Sequence, residues 1–173
     1  MHDSARPTPW TSDRSTAKKA IFYQELASEL DALLTGEPDP VANAANAAAA
    51  IYHALPDLNW AGFYFMRGGE LVLGPFQGRP ACVRIPLGKG VCGTAAIQRR
   101  SLMVADVAAF PGHIACDMAS RSELVVPMLA ADGVLGVLDL DSPVLARFDA
   151  EDQAGCELLV SIITRHLAQS MRG

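Results

Sequence analysis

From Trp60 to Met66 the hydrophobic period of the chain is two: Trp60, Gly62, Tyr64 and Met66 alternate with Ala61, Phe63 and Phe65. The Gly68-Gly69 pair turns the backbone into a further extended run, Glu70 to Phe76, so this stretch is a hairpin. A second hairpin comes much later, Glu123 to Ala130 and Val134 to Asp141, folded about Ala131-Asp132-Gly133. Cys82 to Ile85 supplies another strand between them. Runs of strands joined by tight turns demand an antiparallel sheet, and the helices elsewhere must pack against it, which makes the fold α+β.

Two helices precede the first strand. Beyond a loose arm covering residues 1 to about 14, Phe22, Leu26, Leu30 and Leu33 fall on one stripe of a helix that starts near Ser15 and stops at Gly36. Asp39 followed by Pro40 is an N-cap and a first-turn proline, and the alanine-rich segment behind it stays helical to about Leu55, before Pro56. Between the hairpins, PLGKGVCGTAAIQRR opens a short helix near Val91 with Cys92 in its first turn, and Asp106 to Asp117 reads as a long loop. Asp149 caps a final helix carrying Cys156, Leu159, Ile163 and Leu167 on one face.

Charge and composition narrow the function. With 173 residues, half of them apolar, the chain suits one domain with a core that needs no staples. A net charge of −5 and no basic run longer than Arg99-Arg100 argue against nucleic acid as a partner. No window reaches the roughly 18 consecutive apolar residues of a membrane span, and MHDSARPTPWTSDRS lacks the apolar stretch of a secretory signal. The expected compartment is therefore the cytoplasm, where four cysteines serve as buried, catalytic or metal-binding thiols rather than as a disulfide framework.

Cys116, in the loop sequence GHIACDMAS, is free to face solvent or a substrate, though a loop thiol can equally be inert. Cys92 near a helix N-terminus is expected to have a lowered pKa, because unpaired amides and the dipole favour a thiolate. Cys82 on a strand is otherwise core filling, and Cys156 on a core stripe is packing. On the residues alone, the attacking sulfur is one of Cys82, Cys92 and Cys116. A zinc site built from Cys82, Cys92, His113 and Cys116 is disfavoured by spacing, since structural ligands usually come in pairs two to four residues apart.

Glu123, Asp139 and Asp141 form a second group. Asp139 and Asp141 are two apart on a strand and share a sheet face, with Leu135 and Val137 expected before them on that face. They either mark a solvated strand end or converge with Glu123 over a buried surface, where they would need shared protons or a cation. Trp60 and Tyr64 share a strand face as core or as ligand contacts.

The segments NWAGFYF, LVLGPFQGRPACVRIPLGKGVCGTAA, VADVAAFPGHIACDMASRSELVVPM and GVLGVLDLDSP resemble the free methionine-(R)-sulfoxide reductases, which are built on a GAF domain. The resemblance covers Asn59 to Pro143 closely. It implies a single GAF-like domain over residues 15–173, with a central antiparallel sheet of about six strands and helices packed on it.

It also implies that Cys116 attacks the sulfoxide sulfur, that Cys82 or alternatively Cys92 resolves the resulting sulfenic acid, and that an external dithiol such as NADPH-coupled thioredoxin reopens the disulfide. No bound cofactor or metal is implied. The substrate is free methionine sulfoxide, contacted by Trp60, Tyr64, Glu123, Asp139 and Asp141. A protonated acid among the last three would hydrogen-bond its oxygen, with Glu123 and Asp141 counted among the catalytic residues, and the loop from about Phe110 to Ser120 is expected to move. A homodimer is a further possibility, through whichever apolar helix stripe is left uncovered. The competing reading is a GAF module that senses a small ligand or redox state without catalysis.

Overall fold

The alternation that begins at Trp60 does form the first strand, and every later strand is built around it. The structure is a computed structural model that describes residues 16–112 and 118–170. Helices α1 (Thr16–Leu34) and α2 (Pro40–Ala54) lead into strands β1 (Trp60–Arg67), β2 (Glu70–Gly78) and β3 (Arg84–Pro86). Helix α3 (Gly90–Gln98) and strand β4 (Leu102–Val104) follow, then a single 3-10 turn at Val107–Ala109. Strands β5 (Ser122–Ala130) and β6 (Gly133–Ser142) and helix α4 (Ala150–Ser170) complete the chain. The sheet has six strands in the order β3-β2-β1-β6-β5-β4, all pairs antiparallel.

The two faces of the sheet carry different burdens. Ala61 and Phe63 of β1, Leu138 and Leu140 of β6 and Leu124, Val126 and Met128 of β5 point towards α1, α2 and α4 and form the main core. On α2 that core is met by Ile51 and by Ala44, Ala47 and Ala48, whose small side chains let the helix lie close to the strands. The opposite face carries a smaller cluster in which Trp60, Tyr64, Val125 and Val137 meet Val91, Cys92, Ala95 and Ala96 of α3. Among the described residues, no helix is long and apolar enough to cross a membrane.

Capping follows sequence chemistry. Asp39 accepts from the amides of Val41 and Ala42 at 2.8 and 2.9 Å, and Pro40 opens α2. At α4, Asp149 accepts from the amide of Asp152 at 2.9 Å while Asp152 accepts from the amide of Asp149 at 3.0 Å, a reciprocal box. Asp152 is fully buried and also receives Lys19 at 2.6 Å, the Tyr23 hydroxyl at 2.7 Å and Arg147 at 3.0 Å, so one carboxylate ties α1 to α4.

Several expectations are corrected. The core stripe of α1 runs through Tyr23, Leu26, Ala27, Leu30 and Leu34, whereas Leu33 is 47% exposed. The reach of Tyr23 to Asp152 on α4 sets that rotation. Cys82 lies before β3, in an irregular segment, because β3 is confined to Arg84–Pro86. Leu135 does not share a face with Val137: Met128 pairs with Gly136 and Leu129 with Val134, so Leu135 is the extra residue of a bulge and packs towards the helices. Strand β4 and the 3-10 turn escape the periodicity argument, each being too short to show a period.

Candidate active site

Three adjacent strands place the predicted polar and aromatic residues in two rows. Asp141 of β6 pairs with Trp60 of β1 on one side and Glu123 of β5 on the other. One step along, Asp139 pairs with Gly62 and Val125, and beyond it Val137 pairs with Tyr64. Directly paired residues project from the same face. Trp60, Tyr64, Glu123, Asp139 and Asp141 therefore all lie on the face that α3 covers.

Glycines bring this group together. A Cβ on Gly62 would lie 2.3 Å from the Cβ of Phe76 and 2.6 Å from the Trp60 ring, so only glycine leaves the indole room to lie across the hairpin. There it stacks on Phe76, with centroids 5.2 Å apart, and on Tyr64 at 5.9 Å. A Cβ on Gly93 would lie 2.3 Å from the Pro86 carbonyl oxygen, so glycine also lets α3 close onto the end of β3. Cys92, next to it, is pressed over β5 and β6.

The Arg79–Val83 segment is tethered to the same aromatics. Trp60 Nε1 donates to the Arg79 carbonyl at 3.1 Å, and the Tyr64 hydroxyl donates to the Cys82 carbonyl at 3.0 Å. Trp60, Tyr64, Arg79, Pro80, Ala81, Asp139 and Asp141 line a small recess. Cys82, one residue beyond its wall, is half-buried and disulfide-bonded. Cys92 and Cys156 are buried free thiols. Cys116 and His113 lie outside the described residues, as does much of the Phe110 to Ser120 loop.

Beside Asp139 of the recess wall, Cys92 Sγ is 3.9 Å from Glu123 Oε1, and both meet Asp139. Burial raises the pKa of Glu123 well above the usual carboxylate range, reinforced by the neighbouring charges of Asp139 and Asp141. Burial also raises Asp139, to about 6, against the hydrogen bonds from Cys92 and Glu123 that favour its charged form. Cys92 is corrected by the same physics: burial first, then Asp139 and Glu123, pushes its pKa well above the ordinary thiol value. Position near a helix N-terminus does not offset the loss of solvent and two adjacent acids. Cys156, fully buried on α4, rises to about 12 mainly by burial, in keeping with a packing role.

Sequence reasoning did not single out Phe76 or the Arg79–Ala81 wall. Phe76 enters because β2 carries an extra residue between its pairings with Gly62 and Tyr64, around Gly74-Pro75, a dipeptide that signals such an irregularity. Arg79 contributes a backbone carbonyl, for which side-chain identity gives no clue. A wider groove between α4 and the end of β5 holds none of the predicted site residues.

Comparison with known proteins fits this geometry. The GAF domain family model matches residues 41–168. The free methionine-R-sulfoxide reductase of Escherichia coli is 49% identical over 150 residues, covering 87% of this chain and 91% of that protein. The X-ray structure of the free methionine-R-sulfoxide reductase from Neisseria meningitidis in complex with its substrate superposes with a TM-score of 0.86. It is 40% identical, over 96% of this chain and 98% of that one. A crystal structure described as a GAF sensor protein, from Burkholderia vietnamiensis, gives the same TM-score at 60% identity, over 90% of this chain and 99% of that one. On these matches and on a six-stranded GAF sheet that carries its acids and aromatics on a single face, the chain belongs to the free methionine-R-sulfoxide reductase family.

Proposed function

We propose that this chain reduces free L-methionine (R)-S-oxide to methionine in the cytoplasm. Cys116 attacks the sulfoxide sulfur. The oxygen passes to Cys116 as the hydroxyl of a sulfenic acid, and methionine leaves. Cys82, or alternatively Cys92, then displaces that hydroxyl as water and closes a disulfide, which an external dithiol such as thioredoxin reopens. The observation that carries the reading is a disulfide-bonded Cys82 adjoining a recess lined by Trp60, Tyr64, Asp139 and Asp141.

The acids divide the work by their surroundings. Glu123, kept protonated by burial, is the donor to the sulfoxide oxygen as negative charge develops there. Asp139 and Asp141 face the substrate's ammonium group, a charge that a methionine sulfoxide residue within a peptide lacks. The Trp60 and Tyr64 rings pack on the methyl and thioether end. Among the three candidate thiols, the raised pKa of Cys92 makes it a poor attacker, which favours Cys82 as the resolving sulfur.

The test is thioredoxin-dependent NADPH consumption with the free (R) and (S) sulfoxides offered separately. Consumption with (R) alone, abolished by Cys116→Ser, is expected. Equal rates with both epimers, or full turnover by Cys116→Ser, would overturn the assignment. A second reading, a sensor whose cysteines form a regulatory disulfide, is favoured by the name of the Burkholderia relative. It predicts binding of the sulfoxide with no NADPH consumed.

A further inference from the structure

Asp139 of the recess wall belongs to a buried cluster of three side chains from three elements: Cys92 from α3, Glu123 from β5 and Asp139 from β6. One ligand atom from each lies within 4.8 Å of the others, and all three residues are buried. An independent observation concerns Asp139 alone. It is only 6% exposed, yet among the described residues one of its carboxylate oxygens, Oδ1, has no hydrogen-bond partner. We propose that Cys92, Glu123 and Asp139 form a binding site for a thiophilic divalent cation, Zn²⁺ being the physiological candidate.

The donor set decides the metal class. A thiolate with two carboxylates suits Zn²⁺ or Cd²⁺, whereas Mg²⁺ and Ca²⁺ take oxygen ligands only. Zinc bonds of about 2.3 Å to sulfur and about 2.0 to 2.2 Å to oxygen put ligand atoms about 3.5 Å apart on a tetrahedral ion. The Cys92 to Glu123 separation of 3.9 Å needs only a small side-chain adjustment to reach that. Binding replaces the thiol proton of Cys92 and the carboxyl proton of Glu123 with the ion, so the charge of the crowded acids is neutralised and the Asp139 carboxylate gains a cationic partner. The set shares only Cys92 with the cysteine and histidine combination weighed from sequence. The sequence groups Glu123 with Asp139, but that Cys92 joins them is set by the way α3 packs on β5 and β6.

An ion there occupies the position given above to the sulfoxide oxygen, so it blocks turnover; that consequence rests on the reductase reading, but the binding does not. The test therefore reads binding directly. The full chain, with the Cys82 disulfide closed, is titrated with Cd²⁺ while the ultraviolet thiolate-to-cadmium charge-transfer band is followed. The band should saturate at a single equivalent, vanish in Cys92→Ser and persist in Cys156→Ser. Asp139→Asn keeps the thiol in place and should weaken binding at least about tenfold, a loss typical of altered metal surroundings. A band that survives in Cys92→Ser, or an affinity unchanged by Asp139→Asn, overturns the site. Because Asp139→Asn is nearly isosteric, a folding defect in Cys92→Ser does not decide the outcome.

Discussion

The Tyr64 hydroxyl donates to the backbone carbonyl of Cys82 at 3.0 Å, joining the aromatic wall of the recess to the peptide that carries a disulfide-bonded sulfur. Burial raises the pKa of Tyr64 further above its ordinary value, so the hydroxyl stays a neutral donor at any working pH. Removing it leaves the Cys82 carbonyl without this partner, while Trp60 still holds Arg79 and the Leu73 amide still donates to Val83 at 2.9 Å. Tyr64→Phe is expected to slow disulfide closure about tenfold, the equivalent of one hydrogen bond. Trapping of sulfenic acid by dimedone should rise in parallel, with KM for the sulfoxide little changed. A rise in KM with normal closure would assign Tyr64 to substrate contact only.

Glu123 sets the pH response of the chemical step. A donor must be protonated, and burial with adjacent acids holds its proton well above the usual carboxylate range. Activity should fall as pH rises through that raised value. Glu123→Gln should lose about a hundredfold in kcat, within the range for general acid catalysis, and should no longer show the limb. A wild-type pH profile retained in the variant would move the role to another acid.

Asp139 destabilises the fold that contains it. Its pKa is about 6 against an ordinary 3.8, so the native state holds a proton that the unfolded chain has already released. Between those values stability falls as pH rises, and above about 6 the whole cost is present. Asp139→Asn should therefore be the more stable protein at pH 8, by on the order of 2 kcal/mol, or several degrees in Tm. The gap should close near pH 4, where both side chains are neutral. Thermal scans across that range decide it; a constant gap would point to packing instead of charge.

Asp152 has the opposite sign. Its fully buried carboxylate gathers Lys19, Tyr23 and Arg147, so replacing it takes the ion pair from Arg147 and the acceptor from the Tyr23 hydroxyl, while Lys19 keeps Asp149. Asp152→Ala should cost about 3 to 5 kcal/mol in denaturant unfolding. Asp149, half-exposed in the same network, should cost far less when replaced.

Much of this was legible before any coordinates. The period of two at Trp60 and the two hairpins dictate the antiparallel sheet, and the Asp39-Pro40 and Asp149 signals mark two helix starts that the structure keeps. What resisted was register. Leu135 changes face because of a bulge next to Gly136, and no alternation rule locates the extra residue in a run of apolar side chains. Cys92 resisted for another reason: its helix position was readable, but its burial against Glu123 and Asp139 depends on how closely α3 settles on the sheet. The group of acids was legible as a possibility and became a site only when strand pairing aligned Glu123, Asp141 and Trp60 in one row.

That row makes catalysis a gauge of strand registry. A slip of one residue in β6 would send Asp139 and Asp141 to the helical side while Trp60 and Glu123 stayed behind. A mispaired molecule would then be inert, not merely slow. Specific activity thus counts the correctly paired fraction of a preparation, a population that far-ultraviolet spectra would not separate.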